Sequence, residues 1–274
     1  MECASLPLPQ LERTILGTIP MLTDNALART LGVRVAFTGR EGGVSAGAYG
    51  ALNLGDHVGD NPTSVAENRR RIAKALGADP ALLVAANQVH GTTLVEVADA
   101  APAAMAAARA EAALGADGLV VRAPQVLGLL CFADCTPIAA VAPTGAFGLA
   151  HGGWRGTVGH IARATVERLA AAEGVDPAQI NVYIGPHIKA CCFEVGSEVA
   201  QRFADEFGAG CVVGDNHVSL AAAVTADVLA AGVDPQRVVE AGVCTRCHPD
   251  EYFSYRATDG HCGRHGVLAF KGAN

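Results

Sequence analysis

Several features are missing from this chain of 274 residues, and each absence removes a class of function. No apolar run approaches the roughly 18 residues of a membrane-spanning helix. From Met1 to Pro20 there is no basic stretch followed by an apolar one, because Pro7, Pro9, Glu12 and Arg13 interrupt it, so secretion is not expected. A basic surplus is also lacking: 20 Lys and Arg face 27 Asp and Glu, giving a net charge of −7 and a pI near 5.7. That balance offers no footprint for nucleic acid or for an anionic membrane surface. The sequence contains no P-loop, no G-x-G-x-x-G and no H-E-x-x-H, so nucleotide hydrolysis, dinucleotide redox and zincin proteolysis lack their usual signals.

What remains is the composition of a globular protein. Half of the residues are apolar and 17% are charged, enough to bury a sizeable core. The nine cysteines (3, 131, 135, 191, 192, 211, 244, 247 and 262) are odd in number and irregularly spaced. In a chain large enough to fold without staples, that pattern points to reduced thiols and a cytoplasmic location.

Read along its length, the chain begins with a segment, 1–32, expected to have little structure. A strand is expected from Val33 to Thr38, then a glycine-rich loop from Gly39 to Gly59. Asn61-Pro62 is a helix opening, a cap followed by proline at the first helical position, and Gly77 closes that helix. Short strands are expected at 82–88, 93–97, 118–122, 127–132, 137–142, 146–150 and 180–184, and near 237–243 and 266–271. Helices are expected at 102–114 and from Thr157 to Glu173, and near 196–207 and 219–231. The elements interleave without a strict βαβ rhythm. The expected fold is therefore one α+β domain over 33–274, with mixed β-sheets flanked by helices in a layered sandwich.

Two short motifs fail their context. Gly43-Val-Ser-Ala-Gly47 matches a nucleophile elbow, but no apolar strand precedes it and no helix follows, so it reads as a turn. Cys244-Thr-Arg-Cys247 is a lone C-x-x-C without a second pair at zinc-ribbon spacing, although capture of a metal by Cys247 and His248 stays open. Cys191-Cys192 reads as two packed thiols. Three other segments hold together better. Gln88-Val-His-Gly91 puts a histidine at a strand end, Ala133-Asp-Cys-Thr-Pro137 puts an acid and a thiol between two apolar strands, and His151-Gly-Gly-Trp-Arg-Gly156 puts a histidine before a helix. A His/Cys/His set at one rim suits zinc, whereas each residue by itself is more often a core thiol or a satisfied histidine than a ligand.

At these residues the chain resembles the laccase-domain family, once called multicopper polyphenol oxidases and now regarded as purine nucleoside phosphorylases. Further matching blocks are Phe37-Thr-Gly-Arg-Glu-Gly-Gly-Val-Ser45, Leu52-Asn-Leu-Gly-Asp-His-Val-Gly-Asp60, Ala116-Asp-Gly118, Ile184-Gly-Pro186, Cys192-Phe-Glu-Val-Gly196 and Phe253-Ser-Tyr-Arg256. Gly39 and Gly152 depart from the usual family residues without removing chemistry. The resemblance implies that His90, Cys135 and His151 are zinc ligands and the centre of catalysis. It also implies phosphorolysis of adenosine, inosine, guanosine and methylthioadenosine, with adenosine deamination as a side activity. Arg40 and Arg155 become candidates for phosphate, Asn53 for ribose or base, and Asp134 for a general base or, preferably, a group that orients Cys135. The expected partners are purine nucleosides and phosphate, and the expected state is a monomer or small homo-oligomer. Two alternatives stand beside this reading. A copper-dependent polyphenol oxidase is poorly served by nine histidines with no H-x-H pair. A zinc amidase editing peptidoglycan precursors would use the same metal chemistry.

Overall fold

Strands buried on both faces read as nearly continuous apolar runs, and the central strands of this protein are of that kind. The computed structural model describes residues 6–272. In chain order its first elements are β1 (Glu12–Leu16), β2 (Ile19–Thr23), α1 (Asn25–Leu31), β3 (Val33–Thr38), α2 (Pro62–Leu76), β4 (Leu83–Ala85) and β5 (Leu94–Val97). Next come α3 (Pro102–Leu114), β6 (Gly118–Val121), β7 (Leu127–Phe132), β8 (Thr136–Val141), β9 (Phe147–Gly152), α4 (Trp154–Val158), α5 (Ile161–Glu173) and β10 (Asn181–Ile184). The last are α6 (Ser197–Phe207), the short ribbon β11 (Val212–Val213) and β12 (His217–Val218), α7 (Leu220–Ala230), β13 (Val238–Glu240) and β14 (His265–Lys271).

Two six-stranded mixed sheets result, ordered β1-β2-β3-β14-β7-β4 and β13-β10-β8-β9-β6-β5. The period of two along each strand sorts residues between layers. In β7, Leu130 and Phe132 meet the other sheet, while Leu127 and Leu129 turn outward onto Ile72, Ala73 and Leu76 of α2. In the second sheet, Ala139, Val141, Leu149 and Tyr183 point inward, and Ile138, Ala140, Val182 and Ile184 meet α5 and α7. The protein is thus a four-layer sandwich, helix on sheet on sheet on helix, in line with the expected α+β class. Among the described residues no helix is long and apolar enough to cross a membrane, and the eight cysteines are free thiols.

The opening segment is where the sequence misleads. Residues 12–31 are not weakly structured: β1 and β2 extend the first sheet through β3, and α1 follows. The physical reason is Asp24, which is fully buried. Its carboxylate caps α1 by accepting from the Leu27 N–H at 2.8 Å, and it accepts the Tyr183 hydroxyl of the second sheet at 2.8 Å. Residues 1–5 lie outside the described part. The helix expected from Thr157 to Glu173 is also broken. His160 takes a left-handed conformation (φ 63°), with its ring between Asp227 (2.7 Å) and Glu206 (3.1 Å), so α4 ends and α5 begins there.

One buried histidine sets an acid limit on this fold. His265 opens β14 with its ring edge-on to Tyr252, and burial together with Arg264 depresses it from 6.5 to about 3, against the Pro186 carbonyl. Below pH 6.5 the unfolded chain gains a proton that the folded chain refuses, so stability falls as pH drops toward 3. Between pH 6.5 and 5 this one group should remove about 2 kcal/mol. Urea unfolding at both pH values should show a shallower acid loss in His265→Met than in the wild type; equal losses would refute the assignment.

Candidate metal centre

Two loops and the end of β9 converge at one rim of the sandwich. β7 belongs to the first sheet and β8 to the second, so the turn 133–135 crosses between them and carries Cys135 at the crossing. His90 sits in the loop after β4, with φ at 63°. His151 lies within β9, and its ring is nearly buried. The ligand atoms of His90, Cys135 and His151 all lie within 4.8 Å of one another. Cys135 Sγ is 3.8 Å from His90 Nε2, and the two imidazoles meet edge to face.

A fourth residue, Asp117, fixes this convergence. It sits fully buried at the entry to β6. One carboxylate oxygen accepts the His90 N–H at 2.9 Å and pairs with His151 Nδ1 at 2.8 Å. The other accepts the N–H groups of Gly91 at 2.6 Å and Val89 at 3.2 Å. Because Nδ1 of His151 is engaged, Nε2 is the nitrogen left for a ligand.

The same contacts set the ionisation of the site. Burial opposes charge on Asp117, yet its bond to His151 and the backbone N–H groups hold it below its ordinary range. Burial also opposes a thiolate at Cys135, but the charge of His151 and hydrogen bonds from both histidines bring it down to about 6. His151 moves the opposite way, to about 9, as Cys135 and Asp117 outweigh its burial. A thiolate beside imidazoles is the form in which a cysteine binds metal. Gly153 completes the fit, since a Cβ there would lie 2.8 Å from the His90 ring and 3.4 Å from Cys135 Sγ.

The group opens into a cleft of about 330 Å³. Phe132, Ile188 and Phe193 give it an apolar wall, and His57, Arg256 and Arg264 give it a basic one. The sequence-derived substrate residues are not all here. Arg40 does not line the cleft; its guanidinium donates to the carbonyls of Gly50 (2.8 Å) and Pro249 (2.7 Å) and lies over Phe253. Asn53 is fully buried, and its amide is engaged by Gly55, Asp60 and Arg264. Asn53 supports the cleft from behind by accepting the Arg264 N–H at 2.8 Å, whereas the partners of Arg40 lie outside the cleft lining. Arg155 lies against Trp154 and lines an adjoining recess of about 160 Å³ with His90 and Cys135.

Asp134 has φ at 83° and both carboxylate oxygens in use, accepting from the Thr245 hydroxyl at 2.6 Å and the Arg256 N–H at 2.7 Å. Those bonds tie the turn that carries Cys135 to the loops at 245 and 256. Ser45 donates to Asp60 at 2.6 Å within a loop, in keeping with a turn. Arg256 and Arg264 were not singled out from sequence. Arg256 closes a recognisable block, Phe253 to Arg256, whereas Arg264 stands in no motif and reaches the cleft only through the topology.

Comparisons with known proteins give the family and the fold. The family model described as "multi-copper polyphenol oxidoreductase laccase" matches residues 34–271. A Geobacillus stearothermophilus protein named purine nucleoside phosphorylase YlmD is 38% identical over 249 residues, covering 88% of this chain and 90% of that one. A protein named adenosine deaminase RL5, from an unknown prokaryotic organism, is 38% identical, covering 79% of this chain and 86% of that one. Among solved structures, the Bacillus licheniformis hypothetical protein YfiH superposes with a TM-score of 0.84 at 29% identity, covering 95% of this chain and 98% of that one.

Asp117→Asn keeps the size of the side chain but loses the charge that organises both histidines. It should weaken zinc binding about 10- to 100-fold in a chelator competition. Unchanged affinity would contradict the role given to Asp117. Gly153→Ala should weaken the same binding by displacing the His90 ring, with the far-ultraviolet spectrum unaltered; wild-type binding in that variant would show that no such crowding occurs.

Proposed function

Because the chain belongs to the multi-copper polyphenol oxidoreductase laccase family, by a match across most of its length, we propose that it is a zinc-dependent purine nucleoside phosphorylase with adenosine deamination as a side activity. The observation that carries this reading is a single cleft in which a His/Cys/His donor set adjoins two arginines and an apolar wall. The names of two relatives, purine nucleoside phosphorylase and adenosine deaminase, support it.

The donor set fits zinc. Two imidazoles and a thiolate are ligands of the right softness, and three protein donors leave a fourth position for substrate or water, as in catalytic rather than structural sites. When bound, zinc supplies a Lewis acid and lowers the pKa of a coordinated water to about 7. A multicopper cluster asks for several more histidines, and among the described residues the His90, Cys135 and His151 group is the only candidate group that contains any.

In phosphorolysis a phosphate oxygen bonds to the ribose anomeric carbon as the bond to the purine nitrogen breaks. The bonding pair leaves with the base, which takes up a proton. Arg256 and Arg264 are the residues suited to the phosphate, because guanidinium forks bind it at two points and keep their charge at any working pH. Phe193 offers ring surface to a purine. Arg155, in the adjoining recess, is a second anchor for an anion. Asp117 and Asp134 hold the donor loops still, so the cleft is organised before substrate arrives.

Zinc-loaded protein incubated with adenosine should release adenine only when phosphate is present. Cys135→Ala should lower that turnover by at least about 100-fold while the protein stays folded. Inosine formed without phosphate would make deamination the main reaction. Neither product under zinc would reject the nucleoside reading, and oxygen-dependent oxidation of phenols by a copper-loaded sample would favour the oxidase instead.

A further inference from the structure

A second group of possible ligands lies outside the candidate metal centre. β10 and β13 are parallel neighbours, so the loops that follow them leave the sheet at the same end. The first loop carries Cys191 and Cys192, and the second carries Cys244 and Cys247. Backbone bonds join the loops directly: the His187 N–H donates to Val243, and the Thr245 N–H donates to His187. The four sulfur atoms consequently gather within 4.8 Å of one another.

Their spacing is informative. Cys191 to Cys192 is 3.7 Å, Cys191 to Cys247 is 3.8 Å and Cys192 to Cys247 is 3.5 Å. A tetrahedron of sulfurs around one ion, with metal–sulfur bonds of about 2.3 Å, has edges of about 3.8 Å. A disulfide would bring one pair to about 2.05 Å. A cluster of several irons would hold its thiolates farther apart than one ion does. The Lys189 N–H donates to the buried Cys244 sulfur at 3.5 Å, a contact that favours a thiolate there.

We propose that Cys191, Cys192, Cys244 and Cys247 form a second, structural zinc site of four thiolates. With four protein ligands it is closed to substrate, unlike the three-donor centre at the rim. Its position gives it a task. Thr245, between the two cysteines of the second loop, donates to Asp134, the neighbour of Cys135, and the Ile188 N–H donates to the Asp134 carbonyl at 2.9 Å. Ile188 and Phe193 line the cleft on either side of the vicinal pair. An ion joining the two loops therefore fastens the wall behind the candidate centre. This inference does not depend on phosphorolysis.

Zinc counting on reduced protein tests it. Wild type should hold about two zinc ions per chain, and the His90→Ala/Cys135→Ala double variant, stripped of the rim site, should keep about one. Loaded with cobalt, that double variant should show sulfur-to-metal charge transfer and the intense visible bands of a tetrahedral thiolate site. Adding Cys247→Ser should abolish these bands and bring zinc close to none. A wild type without zinc, a folded double variant without metal, or a Cys192–Cys247 disulfide in protein from a reducing cytosol would each overturn the proposal, whereas one zinc per chain that the double variant keeps would support it and count against the rim site instead. The wild-type count stands even if a variant fails to fold.

Discussion

A buried carboxylate governs the arrangement at the rim. Asp117 takes three backbone N–H groups from the segment 89–91 and the Nδ1 side of His151, so two of the three donor residues hang from one side chain. A charge with no solvent contact is costly unless all of its hydrogen-bonding capacity is met, and here it is met by groups that must themselves be positioned. The strained backbone at His90 persists because those bonds overdetermine it. The third donor residue arrives by another route, on the turn that carries the chain from one sheet to the other. Its neighbour Asp134 ties that turn to the loops at 245 and 256.

Electrostatics then follow from geometry. Burial alone would keep Cys135 a thiol and His151 a neutral imidazole, but placing them together beside Asp117 moves both in the direction of charge separation. The apolar sandwich contributes by excluding water on one side, which strengthens those attractions. The Cys135 sulfur, two imidazoles, two arginines and aromatic side chains therefore line one cleft.

Much of this was legible in the sequence where local signals suffice. The cap at Asn61 forms as its Asn-Pro pair suggests, with the side chain accepting from the Thr63 N–H at 2.9 Å. The apolar runs at 127–132 and 136–141 are strands because a segment buried on both faces needs no polar alternation. The convergence of His90, Cys135 and His151 could be suspected from three strand-end motifs and the family they resemble. What was not legible depends on partners distant in sequence. β1 and β2 have their place because β3 offers an edge and Tyr183 offers a hydroxyl to Asp24. The break at His160 is imposed by Asp227 and Glu206. Arg264 reaches the cleft without any motif. The four clustered cysteines looked like a lone C-x-x-C and an unrelated pair, since only the parallel pairing of β10 with β13 makes them neighbours.

The central claim is that one cation sits among His90, Cys135 and His151, held in register by Asp117. Anomalous diffraction from crystals of the zinc-loaded protein, recorded on both sides of the zinc edge, tests this directly. The account predicts a peak about 2.0–2.1 Å from Nε2 of both histidines and about 2.3 Å from the Cys135 sulfur. A rim without anomalous signal, or a peak there from which any of the three side chains has turned away, would contradict it.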